Sequence, residues 1–256
     1  MDQKQKSKYL SIAIKLLHNY LLENKDSKEY SYLASRVSED KFPKFSFGLF
    51  PLRNSAIIDF IDEFSKISKE DPFPILEKLN LIYENKNHKR DDCFFKEHSL
   101  LIPFYDLYGN PVSIVGRSIL PEDKQKELKL SKYKHLPFEK GRYLYGLNYT
   151  YKNIIKKDYL IAVEGQFDFI SGLNYGLDNL VCVAGSKFTF DHICILKRFT
   201  NNFYVLLDND EAGNEGWEKI NKSKTRYNLN IKRLSLPGKY KDLDLFLRDG
   251  NQFSID

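Results

Sequence analysis

The chain has 256 residues, 42% of them hydrophobic and 29% charged, which excludes a disordered chain and allows one large domain or two smaller ones. No apolar run approaches the length of a membrane span and the first nine residues are charged rather than signal-like, which predicts a cytoplasmic protein with no membrane partner. The net charge of +5 is modest, but lysines and arginines concentrate in residues 124–142 while acids recur at the ends of later apolar segments, a distribution suited to a polyanion beside a metal site.

The first third reads as helical. Residues 9–22 carry apolar side chains at helix-like spacing (Leu10, Ile12, Ile14, Leu16, Leu17, Leu21, Leu22), and residues 30–37 predict a second short helix. Pro43, Gly48 and Pro51 interrupt that pattern around an aromatic cluster of Phe42, Phe45, Phe47 and Phe50. Asn54 is placed to cap a third helix ending near Ser68, with Ile57, Ile58, Ile61 and Phe64 on one face. Residues 84–92 read as a charged loop. Strands follow: residues 100–106 and 112–115 flank Tyr108-Gly109-Asn110, which is hairpin chemistry. Residues 121–134 are polar and lysine-rich and read as an exposed excursion.

From residue 159 the period changes. Apolar runs at 159–163, 180–183, 203–207 and 231–236 alternate with helix-like stretches at 167–175, 190–199 and 213–227. Such alternation predicts a largely parallel sheet with right-handed crossovers, whose ligands gather beyond the carboxyl ends of the strands. The residues there are Glu164-Gly165, Gly185-Ser186, Asp208-Asn209-Asp210 and Asp242-Leu243-Asp244. Taken singly, Asp208 or Asp210 could cap a helix, Asp168 could complement a helix dipole and Asp244 could start a terminal turn. Taken together, carboxylates delivered to one face by three of four strand ends predict a divalent-metal site. Carboxylate oxygens suit Mg²⁺ or Mn²⁺. The three cysteines, Cys93, Cys182 and Cys194, lack zinc-ligand spacing, so no zinc is expected, and Cys182 and Cys194 sit in apolar stretches as small core residues. Gly165 and Gly213 let the backbone turn sharply and let a phosphorylated ligand approach.

These motifs carry a family resemblance. Glu164-Gly165 and Asp208-x-Asp210, each after an apolar strand and followed by a later acidic pair, resemble the TOPRIM fold of primases, topoisomerases and some nucleases. Leu101-Ile-Pro-Phe-Tyr-Asp-Leu-Tyr-Gly-Asn-Pro-Val, leading to Gly116-Arg117, resembles the strand-turn-strand entry of bacterial (DnaG-type) primases. Ser131-Lys-Tyr and Lys140-Gly-Arg-Tyr-Leu-Tyr-Gly-Leu147 resemble that family's basic segment, and Phe47-Gly-Leu-Phe-Pro51 resembles the helical start of its polymerase core. The likeness runs from about Tyr30 to the end of the chain. Two departures stand out: Gly185-Ser186 replaces the family's Gly-Thr turn, and Asp242-Leu-Asp244 replaces its D-P-D.

The resemblance implies an α/β protein with an α+β N-terminal part: a helical and mixed subdomain over 1–155, then a TOPRIM-like, mostly parallel four-stranded sheet flanked by helices over 156–256. It implies a primase, making short RNA primers on single-stranded DNA from ribonucleoside triphosphates with two Mg²⁺ or Mn²⁺ ions. Asp208, Asp210 and Asp242 or Asp244 would hold metal, and Glu164 would ligate metal or assist proton transfer. Asp168, Gly165, Gly185, Ser186 and Gly213 would support them. Arg117, Lys132, Lys140 and Arg142 would grip phosphates, although a solvated basic face accounts equally for lysines. Three other readings stay open: a TOPRIM nuclease, a non-catalytic single-strand-binding replication subunit, and a HAD-type phosphatase with Asp208 as nucleophile. The chain shows neither the zinc module nor the helicase-binding domain of such primases, so a replicative helicase or separate template-binding subunit is expected to stimulate it. Its Lys- and Asn-rich composition fits an AT-rich genome such as that of a phage or mobile element.

Overall fold

The computed structural model describes residues 1–83, 92–185 and 188–255. All but the last position of the charged loop predicted at 84–92, and Ser186, lie outside the described residues. The chain divides into two compact units, Met1–Tyr105 with Asn110–Phe138, and Asp106–Gly109 with Glu139–Asp256.

The first unit opens with α1 (Gln3–Glu23), which starts well ahead of the predicted span. Asp2 and Gln5 close its N-terminus as a reciprocal cap: the Asp2 carboxylate accepts the Gln5 N–H at 2.8 Å, and the Gln5 side chain accepts the Asp2 N–H at 3.2 Å. After α2 (Lys28–Ala34) and a 3₁₀ turn, α3 (Phe42–Phe45) and β1 (Gly48–Leu49) carry the aromatic cluster, and Phe42, Phe45, Phe47 and Phe50 are all buried. In α4 (Asn54–Ser68) the cap position is Arg53, without a side-chain bond, and Asn54 is the first helical residue. Its buried stripe is Ile57, Phe60, Ile61 and Phe64, whereas Ile58 is 58% exposed. A 100° step per residue carries position 58 off that stripe. A helix absent from the sequence pattern, α5 (Pro72–Lys78), starts on an Asp71 cap with Pro72 in its first turn.

Two short strands, β2 (Ile82–Tyr83) and β3 (Asp92–Cys93), pair antiparallel. The predicted hairpin forms as β4 (Leu100–Tyr105) and β5 (Pro111–Arg117), in register Leu101↔Gly116, with Gly109 at φ +83° in the turn. The lysine-rich stretch is only partly an excursion. It holds α6 (Glu122–Glu127) and ends in β6 (Tyr133–His135), which pairs with β5 and completes an antiparallel sheet of order β1-β4-β5-β6.

The second unit has the expected alternation: α7 (Leu147–Lys157), β7 (Leu160–Val163), α8 (Gln166–Asn174), β8 (Leu180–Cys182), α9 (Phe190–Leu196) and β9 (Asn202–Leu206). It continues through α10 (Glu211–Asn221), α11 (Ser223–Tyr227), β10 (Asn230–Arg233) and α12 (Leu243–Arg248). The four strands pair in parallel, in the order β10-β9-β7-β8, and Tyr145 adds an antiparallel bridge to Cys182. The single helix predicted at 213–227 is two helices that meet at Lys222.

The units part after Phe138, ahead of the 155/156 division read from the sequence. The reason is α7: Leu147 and Ile154 join the core of the parallel sheet, and Thr150 Oγ1 donates to the Leu180 carbonyl at 2.6 Å. Cys182 is buried as expected, but Cys194 is exposed, because it falls on the outer side of α9 from the buried Ile193 and Leu196. Among the described residues no helix is long and apolar enough to cross a membrane.

Candidate active site

Glu164 stands directly past the end of β7, and one of its carboxylate oxygens, Oε2, is buried without a hydrogen-bond partner. Asp208 follows β9 by two residues, half-buried. Asp210 caps α10, its Oδ1 accepting the Gly213 N–H at 3.0 Å. Asp242 caps α12 in the same way, its Oδ1 accepting the Leu245 N–H at 2.9 Å. The two strand-end loops are tied together where the Asn209 N–H donates to the Lys241 carbonyl at 2.9 Å. Below them Asp168 is 6% exposed, accepting the Gly165 N–H on Oδ2 and the Asp244 N–H on Oδ1, both at 3.0 Å.

These carboxyls press on one another. The Asp208 carboxyl is pushed up to about 7, first by burial and then by the charges of Glu164, Asp242 and Asp210. That of Asp168 is pushed up to about 8, again by burial first and then by Asp242 and Asp208. Burial also raises Glu164, with Asp210 adding to the effect. A carboxyl raised in the fold holds its proton more tightly than in the unfolded chain, where it titrates near 3.9. The resulting stabilisation is complete below that value and is lost as pH rises through about 7 to 8. Cation-free protein should therefore melt about 5 °C lower at about pH 8.5 than at about pH 6, after discounting the half-exposed Asp208 for solvent screening. Thermal melts in a chelator check this, and a melting temperature that is flat or rises over that interval would contradict it.

The donor set fits a hard divalent cation. Buried carboxylates without enough positive charge around them, one with an orphaned oxygen, favour a bound cation over their own mutual repulsion. Among the described residues no three His, Cys, Asp or Glu side chains close into a cage. Mg²⁺ is commonly held by one or two carboxylates and completed by waters and phosphates.

Asp244 is placed differently from the expected ligand. It is 4% exposed, and its Oδ1 accepts bonds from the Ser171 hydroxyl and from Arg248 Nε, the latter at 3.2 Å.

The basic residues also divide. Lys140 is half-buried, its amino pKa lowered by burial and raised again by Cys182 and Glu164. Its Nζ stands 3.5 Å from where a Cβ on Gly185 would lie. Gly185, at φ +146°, holds a backbone shape that side chains rarely adopt. Arg142 is exposed and paired with Glu139 at 2.7 Å and Asp191 at 3.5 Å. In the first unit Lys132 is exposed, but Arg117 is 6% exposed, its guanidinium lying over the Tyr32 and Tyr133 rings at 5.2 and 5.0 Å. Its Nε donates to the Tyr32 hydroxyl at 2.9 Å, so the expected open phosphate grip is instead a contact enclosed by tyrosines. The sequence pattern missed Lys241, whose Nζ lies 3.6 Å from Asp210 Oδ2 and whose charge lowers the pKa of both Glu164 and Asp208. Its position just before Asp242 was the available signal.

Comparison with known proteins gives concordant matches to both halves. The family described as "DNA primase catalytic core, N-terminal domain" matches residues 16–151, and one described as "Toprim-like" matches residues 161–247. A DNA primase of Aquifex aeolicus is 30% identical over 237 residues, covering 90% of this chain and 43% of that protein. The chain spans less than half the length of the curated relatives it matches. A crystal structure of the zinc-binding and RNA polymerase domains of the Aquifex aeolicus primase is similar at a TM-score of 0.76 and 25% identity, covering 97% of this chain and 59% of that one. A structure of the DnaG primase catalytic domain bound to ssDNA is similar in fold at a TM-score of 0.70 and 22% identity, covering 94% and 76%.

Proposed function

Because this chain belongs to the DNA primase catalytic-core family, we propose that it makes RNA primers by template-directed transfer of ribonucleotides to a 3′-hydroxyl, releasing pyrophosphate. One observation supports the reading: at the carboxyl ends of the parallel strands Glu164, Asp242 and Asp210 lie near enough to Asp208 for their charges to raise its carboxyl pKa, and one Glu164 oxygen is buried without a hydrogen-bond partner. These four would hold Mg²⁺ or Mn²⁺. Bound metal would supply activation of the attacking oxygen and charge neutralisation at the leaving phosphates. Asp210 and Asp242 each commit Oδ1 to a helix cap, which fixes the carboxylate; Asp210 Oδ2 faces Lys241 Nζ at 3.6 Å, a contact that a bound cation would displace. Lys140 sets an ammonium beside Gly185, where the missing side chain leaves room for a phosphate. Lys132 and Arg142 add exposed positive charge for a nucleic-acid backbone.

The template is single-stranded DNA, as in the structurally similar primase domain bound to ssDNA, and the substrates are ribonucleoside triphosphates. The setting is the cytoplasm, beside replicating DNA. By the bounds of the two matched families, residues 1–155 would be the N-terminal part of the core and 156–256 its catalytic part, with α7 packed on the parallel sheet of the latter. A grip made of exposed backbone charge is weak and readily screened by salt. A replicative helicase or template-binding subunit that holds the chain at its template would therefore stimulate it, by about tenfold or more.

Single-stranded DNA, labelled ribonucleotides and Mg²⁺ or Mn²⁺, with and without the helicase of the same genome, provide the test. Short RNA products that need both template and cation are expected. Shortening of labelled DNA instead would make the chain a TOPRIM nuclease. Binding of the strand with no product under any cation or partner would make it a non-catalytic subunit.

A further inference from the structure

The first turn of α12 is held to α8 by polar links that lie beneath the strand-end acids. The Asp244 N–H donates to Asp168 Oδ1 at 3.0 Å. The Ser171 hydroxyl and Arg248 Nε both donate to Asp244 Oδ1. Asp168, Ser171 and Asp244 are all buried. Gly172 lets α8 lie close on β8, where a Cβ would stand only 2.3 Å from Leu180 Cδ1, and leaves ordinary contact with Leu243 of α12. A carboxylate that takes its hydrogen bonds from the interior, and whose charge is balanced by an arginine one helical turn away, is poorly placed to serve an incoming cation.

Asp242 lies two residues before Asp244 and bonds the N–H of Leu245, one residue beyond it. Any rotation or lift of this turn would swing Asp242. We propose that Asp244, Ser171 and Arg248 are positioning residues that lock α12 onto α8 through Asp168, and so aim Asp242 at the cations shared with Glu164 and Asp208, while Asp244 itself holds none. This rests on the cation site proposed above. The division of labour is that of an outer set of partners orienting an inner set of ligands.

Mn²⁺ binding to the full chain, counted by electron paramagnetic resonance and titrated for affinity, tests it without reference to catalysis. Asp244→Asn keeps an oxygen for Ser171 and Arg248 and the N–H for Asp168. It should bind as many Mn²⁺ ions as the unaltered chain, with Kd changed by less than about threefold. Asp244→Ala breaks the link and should raise Kd roughly tenfold at the same count. Ser171→Ala should raise Kd by roughly fivefold. Adding Ser171→Ala to Asp244→Ala should change Kd by less than about twofold, since both act on one link. Asp208→Asn, a proposed ligand, should lose an ion.

Loss of an ion in Asp244→Asn would make Asp244 a ligand and overturn the inference. So would an unchanged Kd in Ser171→Ala, the variant that decides the matter if Asp244→Ala fails to fold. If the unaltered chain binds no Mn²⁺, the proposed function falls with the inference. If it binds Mn²⁺ and both Asp208→Asn and Asp244→Asn lose an ion, the inference falls alone.

Discussion

Asp208→Asn is expected to lower ribonucleotide incorporation by about a thousandfold, equivalent to about 4 kcal/mol of transition-state stabilisation. The carboxylate lies between Glu164, Asp210 and Asp242, all of which act on its proton affinity. A neutral amide there offers one oxygen and no charge, so it holds a shared cation far more weakly. The same substitution should leave the fold intact and raise the melting temperature of cation-free protein at pH 8 by a few degrees. It deletes one charge from a cluster where burial and three acidic neighbours already oppose that charge. Added Mg²⁺ should stabilise the variant less than it stabilises the unaltered chain. Primer synthesis and melts in chelator and in Mg²⁺ measure the two effects. Near-normal incorporation by the variant would remove Asp208 from the chemistry. Hydrolysis of a small phosphate ester that disappears with this substitution would instead support a phosphatase with Asp208 as nucleophile.

Gly213→Ala is expected to be nearly as damaging although it touches no charge. A Cβ at Gly213 would lie 2.0 Å from the Asp208 carbonyl oxygen and 3.1 Å from its carbon. Relief needs the Asp208 backbone to move by about 1 Å, and displacement of a reacting group by that much costs about a hundredfold in rate. The overpacking penalty of about 1–3 kcal/mol exceeds the gain of about 1 kcal/mol from removing a helical glycine, so the melting temperature should fall by a few degrees. Gly238→Ala, whose Cβ would meet nothing within 4 Å, is the control and should change neither property. Normal incorporation by Gly213→Ala would mean that the Asp208 loop moves at no cost to the chemistry.

Much of this protein is determined locally and is legible in its residues. The alternation of apolar runs with helical stretches after residue 159 points to a parallel sheet, because a helix between two strands carries the chain back to start the next strand in the same direction. Parallel pairing of β7 and β9 then puts Glu164 and Asp208 past strand ends on one edge of the sheet. The hairpin around Gly109 and the buried aromatic cluster follow from turn chemistry and apolar content in the same way.

Tertiary structure alone decided the rest. Asp242 and Asp244 are two residues apart and chemically identical, yet one caps a half-buried helix end and the other is buried against Ser171, 73 positions earlier. Arg117 looks like a phosphate grip in sequence, but Tyr32, 85 positions away, encloses it. Lys241 faces Asp210 only because two loops meet across the strand ends. Cys194 and Ile58 sit in apolar stretches and still face outward, because a helix steps 100° per residue and only packing decides which side is covered. Local periodicity determines which element forms and where its ends fall. The partner of each side chain depends on how elements distant in sequence pack together, and no short-range pattern encodes that.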